Sequence, residues 1–182
     1  MKNIKISITF LFVLVITGSF AQTALTQKTL LEKQVKIKIV KDFKQLNAKE
    51  INAKYDRGRR PSLAFSNDDG TVSLTLDLKP TQMSQEKLAS YQKSYTYMFS
   101  VYLLDKTKKS NDLISINNHK VGFFKLKMPT KTGIMYTLMF HTNIGNQMLT
   151  CSFTCPIADQ SKWEATADEI MNSLLTKNIH KR

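Results

Sequence analysis

Cysteine is nearly absent, 2 in 182 residues, and glycine, proline and tryptophan are scarce at 6, 4 and 1. Two cysteines exclude a scaffold built on disulfides. So little glycine and proline excludes collagen-like and low-complexity chains and leaves little length for linkers. Acidic side chains are also short in supply, 14 Asp plus Glu against 27 Lys plus Arg, for a formal net charge of +13. Catalytic signatures are missing as well. There is no phosphate-cradling glycine loop, no Gly-x-Ser-x-Gly elbow and no His-Glu-x-x-His. None of His119, His141 and His180 has a His, Cys or Glu two to four residues further on, so zinc-site spacing is absent. No catalytic, cofactor-binding or metal-ligating residue stands out, and no cofactor is implied.

What is present is ordinary for a globular chain, 42% apolar and 23% charged residues, and the length fits one domain. The start reads as an export signal at 1–21. Lys2 and Lys5 form a basic region, Ile6 to Ile16 is nearly unbroken apolar chain, and Gly18, Ser19 and Ala21 supply small residues for cleavage after Ala21. That apolar run is about half of the roughly 20 residues a spanning helix needs, and no later run approaches that length, so no transmembrane anchor is expected after cleavage. A lipid anchor would need cysteine directly after the cut, where Gln22 stands. The expected product is secreted or periplasmic.

Residues 22–34 lack a period and read as a loose lead-in, followed by one domain over 35–178 and a basic tail at 179–182. "VKIKIV" (35–40) alternates as a strand. Asn47 with Glu50 has capping-box spacing, and Ile51 and Tyr55 share a face of a short helix ended by Gly58 and Pro61. "SLAFS" (62–66) and "VSLTLDL" (72–78) flank Asn67–Asp68–Asp69–Gly70, a hairpin with its turn residues in place. Leu88, Tyr91, Tyr95, Met98 and Tyr102 recur at three and four, predicting one helix over 84–104. Strands are expected at 113–116, 121–128, 134–141 and 147–154, with turns at Asn117–Asn118, 130–133 and 143–146. The last helix opens at a second capping box, Ser161 with Glu164, and puts Trp163, Ala167, Ile170 and Leu174 on one face. The order is β-α-β-β-α-β-β-β-β-α. Short connections imply an α+β fold, a largely antiparallel sheet of about six or seven strands covered by helices.

This order, with a strand pair closing on "GNQMLTCSF" before the Trp-initiated helix "WEATADEIMNSL", resembles the PsbP-like superfamily. That group includes the extrinsic photosystem II protein, a yeast Ran-binding import factor and the bacterial DcrB lipoproteins. The resemblance covers about Val35 to Asn178 and implies an antiparallel sheet between helices, with non-catalytic binding or assembly roles. It carries no site motif onto numbered residues, and the chain departs from DcrB in lacking the lipid-anchor cysteine.

Cys151 and Cys155 stand four apart on one strand, roughly 13 Å, whereas a disulfide needs Cα atoms within about 7 Å. They read as small buried hydrophobes, or as a bridge if the strand bends at Pro156. With 143–146 as the turn, Cys151 faces Leu138 and His141 faces Met148 on the opposite surface, so no thiol–imidazole pair forms. His141 reads as a structural histidine at a strand end. Asp68 and Asp69 read as turn residues before they read as an acid–base pair.

The charge is uneven. Residues 22–61 carry 11 basic against 4 acidic side chains, and residues 62–182 carry 14 against 10. Arg57, Arg59 and Arg60 cluster around Gly58, and Lys106, Lys108 and Lys109 follow the long helix. The arginines are the candidate anion-binding residues; the competing reading is a solvated surface. The aromatics fall at core spacing instead of between the basic residues, which argues against nucleic acid. The first reading is an exported, non-enzymatic binding or assembly protein engaging an envelope protein or anionic surface. The alternative is a small envelope hydrolase.

Overall fold

The computed structural model describes residues 23–104 and 110–177. The signal segment, Lys106, Lys108, Lys109 and the tail with His180 lie outside the described residues. Alternating sequence produces strands, and two-residue turns at 117–118, 131–132 and 145–146 close three of the hairpins. β1 (Leu25–Leu30), β2 (Val35–Val40) and β10 (Leu175–Thr176) form a small sheet in the order β1-β2-β10. The large sheet is antiparallel throughout. It has the order β3-β4-β5-β9-β8-β7-β6, with β3 (Lys44–Gln45), β4 (Leu63–Ser66), β5 (Ser73–Gln82), β6 (Asn111–Ile116), β7 (His119–Thr130), β8 (Gly133–Ile144) and β9 (Gln147–Pro156). The helices are α1 (Ala48–Lys54), α2 (Lys87–Phe99) and α3 (Gln160–Asn172). The α+β class and the seven-stranded sheet are as the sequence implies.

The core lies between the large sheet and a second layer made of the small sheet and α3. Leu74, Leu138, Phe140 and Phe153 of the large sheet meet Ile37 and Ile39 of β2 and Ala167 and Ile170 of α3, all fully buried in one cluster. Trp163 packs against Phe153 and Phe43, with ring centroids 5.8 and 6.0 Å apart. One polar contact ties α3 down. The Lys125 ammonium on β7 reaches Glu164 at 2.9 Å and Asp168 at 2.8 Å. Burial works against its charge, but the hydrogen bonds to Asp168 and Glu164 outweigh that and raise its pKa.

Several expectations need correction. Residues 25–30, placed in the loose lead-in, are β1, antiparallel to β2 from Leu25↔Val40 to Leu30↔Val35. The Asn47–Glu50 capping box is present, but Ser161–Glu164 is not one. α3 starts at Gln160 behind a short 3-10 turn, and the Glu164 carboxylate is taken by Lys125 and the Gln160 amide. The long helix ends at Phe99 instead of running to 104. β7 outruns β6, and its spare edge accepts the chain that follows α2: the Lys127 N–H donates to the Tyr102 carbonyl and the Leu104 N–H to the Lys125 carbonyl. The inward face of α2 holds through Leu88, Tyr91 and Tyr95 and departs from the expected one at Met98. Leu88 and Gln92 are buried, Phe99 packs on Phe124 at 5.3 Å, and Met98 is exposed.

The last hairpin closes through Gly145–Asn146 alone, with Gly145 at φ +55° and Ile144 opposite Gln147. A two-residue turn moves the register by two from the four-residue turn read in the sequence. Cys151 therefore faces Phe140, not Leu138, and His141 faces Thr150, not Met148. A shift of two preserves which face each side chain occupies.

Candidate functional site

The two faces of the large sheet are covered unequally. On the face turned away from α3, side chains alternate with the core residues. Near α2 they are bulky: Phe124, His141 and Met148, all buried. Towards the other end of the same strands they become small and polar: Ser73 and Thr75 on β5, Thr137 on β8, Ser152 and Thr154 on β9. α2 packs on the bulky part and stops. The polar part, together with Met135 and Met139, floors an open groove of about 1020 Å³. Thr137 lies opposite Thr154 with hydroxyls 3.5 Å apart, and Thr75 lies opposite Ser152. Phe99, Met128 and Ile134 line the groove towards β7, and Lys54, Tyr55 and Asp69 line it towards β4.

The rim beside β4 is built from α1 and the β4–β5 turn. The Lys54 ammonium donates to the Gly70 carbonyl at 2.8 Å; its pKa is lowered, because burial outweighs the pull of Asp69. Asp69 accepts from the Thr71 hydroxyl at 2.6 Å and the Thr71 N–H at 2.9 Å, which lower its pKa. Asp68 pairs with Lys44 at 2.6 Å. The two aspartates thus serve the turn, as their setting in the sequence suggests. Two residues after Tyr55 the chain forms a single 3-10 turn, Arg57–Arg59, and Arg57, Arg59 and Arg60 are all exposed.

Comparison with known proteins was made on this architecture. No family model matches the chain. A solved structure of cyanobacterial PsbP from Synechocystis superposes with a TM-score of 0.56 at 7% identity, covering 88% of this chain and 96% of that one. The fold is PsbP-like. The Ran-binding protein Mog1p of Saccharomyces cerevisiae gives a TM-score of 0.49 at 9% identity, over 85% of this chain and 96% of that one. The inner membrane lipoprotein DcrB of Shigella flexneri is 33% identical over 66 residues, 36% of this chain and 36% of DcrB. The match therefore spans about a third of that relative's length.

Within this fold the buried cysteines and His141 are held neutral. Cys151 and Cys155 are buried and unbridged, as expected of small hydrophobes on a straight strand. Burial raises both thiols, with a smaller push from Asp77 on Cys151 and from Asp159 on Cys155, the latter to about 12. His141 is not at a strand end. It sits inside β8, 1% exposed under α2, with Tyr91 at 4.8 Å and Phe124 at 5.8 Å between ring centroids. Neither ring nitrogen has a hydrogen-bond partner, nor does Oε1 of the buried Gln92. Gly122 makes room for both: a Cβ there would lie 2.4 Å from Gln92 Oε1 and 2.4 Å from His141 Nε2. Among the described residues no group of three or more His, Cys, Asp or Glu gathers at metal-binding distances, and no helix is long and apolar enough to cross a membrane.

The arginine cluster and the groove are thus neighbours in the chain, linked through Tyr55. Sequence reasoning found the first and missed the second. The signal was there in "SLTL", "MYTLM" and "LTCSFT" (73–76, 135–139 and 149–154), where Thr and Ser hold one face of strands whose other face is wholly apolar.

Proposed function

We propose that the chain is an exported, non-enzymatic binding or assembly protein of the cell envelope. Its partner sits on the open half of the large sheet, and Arg57, Arg59 and Arg60 engage acidic groups beside it. The observation that carries this reading is the groove of about 1020 Å³ on a face that α2 leaves half uncovered. Hydroxyls and thioethers on rigid strands offer adaptable hydrogen bonds and soft apolar contact, which suits recognition. The buried thiols and the neutral His141 favour binding over nucleophilic or acid–base chemistry, because those groups are spent on packing. Export is supported by the signal pattern at 1–21 and by the partial likeness to a protein named as an inner membrane lipoprotein. The arginines stand on a short turn, and among the described residues no carboxylate pairs with them. Guanidinium groups can meet carboxylate or phosphate with two parallel hydrogen bonds.

The test is crosslinked capture from the native envelope at low and high salt, with wild type beside R57A/R59A/R60A and a thermal melt as the fold control. The triple variant is expected to retain its partner roughly tenfold less well at low salt, and wild-type capture to weaken as salt rises, since the screening length is about 10 Å at 0.1 M. Equal capture by both proteins would reduce the cluster to a solvated turn.

A further inference from the structure

Among the described residues five large apolar side chains are exposed: Tyr97 at 86%, Val101 at 76%, Met98 and Ile134 at 52% each, and Leu175, on β10 of the small sheet, at 40%. The first four belong to the end of α2, the residues after it and the start of β8. Phe99 and Ile134 both line the groove, and the segment after α2 bonds along β7 from Tyr102 to Leu104, one strand away from β8. Tyr97 stands on the outward side of α2 four residues after exposed Lys93, and Val101 follows in the turn after the helix. Lys127 and Lys131, on β7 and in the β7–β8 turn, are exposed as well.

The charge of this tip is of one sign. No Asp or Glu occurs between Glu86 and Asp105, nor between Asp112 and Asp159. Asp69 lines the groove from the β4–β5 turn, Asp159 belongs to the 3-10 turn before α3, and Glu164 and Asp168 of α3 are held by Lys125.

We propose that this tip docks on the surface of a bilayer rich in anionic lipid. Tyr97, Met98, Val101 and Ile134 enter the headgroup zone, and Lys93, Lys127 and Lys131 meet the lipid phosphates. An aromatic ring with a hydroxyl at its edge is suited to the interface between water and acyl chains. Lysine stems lie along apolar surface while their ammonium groups reach the phosphates. Insertion is shallow, because the apolar group is one helix end and one hairpin end, not a spanning segment. The exposed lysines make the same patch a poor surface for a second copy, whose lysines would face these. The arginine cluster lies on a different connection, and Ile134 alone is shared with the groove proposed above as the partner site.

The test is cosedimentation of the protein, recovered from the envelope of expressing cells, with vesicles of phosphatidylglycerol and phosphatidylcholine in equal parts or of phosphatidylcholine alone. Wild type is expected to pellet with the anionic vesicles and not with the neutral ones. Each lysine near a charged surface contributes about fivefold, so K127Q/K131Q should bind roughly 25-fold more weakly. Y97S/V101S/I134S, all at exposed positions that leave the core untouched, should lose roughly tenfold or more. R57A/R59A/R60A serves as the contrast and should keep its dependence on Tyr97, Val101 and Ile134. Absence of wild-type binding to anionic vesicles would overturn the proposal. So would equal binding by the Y97S/V101S/I134S protein, or a wild-type dimer in solution that this variant dissolves. None of these results bears on envelope capture through the arginines, so the two readings fail separately.

Discussion

Replacing Phe153 with alanine is expected to lower stability by about 3–5 kcal/mol. Phe153 is fully buried on β9, the strand between β5 and β8. It stands opposite Leu74 on one side and Leu138 on the other, and its ring lies 5.8 Å from Trp163 of α3. Truncation removes the transfer energy of the ring and leaves a cavity among strands that cannot close upon it. Thr154→Ala, one residue on and facing the open groove, should change stability by less than about 0.5 kcal/mol. Urea denaturation checks both, as a lowered midpoint at unchanged slope for F153A and an unmoved one for T154A. A loss below about 1 kcal/mol for F153A would mean that the α3 layer does not close on this face.

Acid should weaken the fold through His141. Burial lowers its pKa from 6.5 to about 4, so between those values the unfolded chain binds a proton that the folded chain refuses. Stability therefore falls as pH drops from 6.5 towards 4, by on the order of 3 kcal/mol, and this contribution is flat above and below that window. The groups around the ring, Tyr91, Phe124 and Gln92, supply no negative charge to offset it. Carboxylates contribute their own pH dependence, so the diagnostic quantity is the difference from His141→Gln, measured by denaturation at pH 7 and pH 4. The wild type should lose about 3 kcal/mol more than the variant across that range. Parallel pH profiles would show that the ring is already solvated.

Strand positions were legible because alternation survives any tertiary context. β2, β5, β7, β8 and β9 all appear where apolar residues recur at every second position. Register was not, because it depends on which two residues of Asn143–Asn146 make the turn, and Gly145 at positive φ decides that locally. β10 has two residues and β1 shows no clean alternation, so both exist only by pairing with β2. The inward side of α2 is legible at Leu88, Tyr91 and Tyr95 and is lost at its last turn, where Phe99 packs inward in place of Met98. Apolar residues lie on both of its sides, and those left outside, Tyr97 and Met98, are the ones assigned here to a membrane surface. Of the candidate site, Arg57, Arg59 and Arg60 were visible as a cluster. The groove was not, since it comes from where α2 stops and not from any residue taken singly.

The binding role of the half-covered face is tested most directly by placing a photocrosslinking amino acid at Thr137, on the groove floor, or at Lys162, on α3 across the sheet. Illumination in the native envelope should give a defined partner adduct from position 137 and none from 162. An adduct from 162 with none from 137 would contradict the account and move recognition to the helix-covered side.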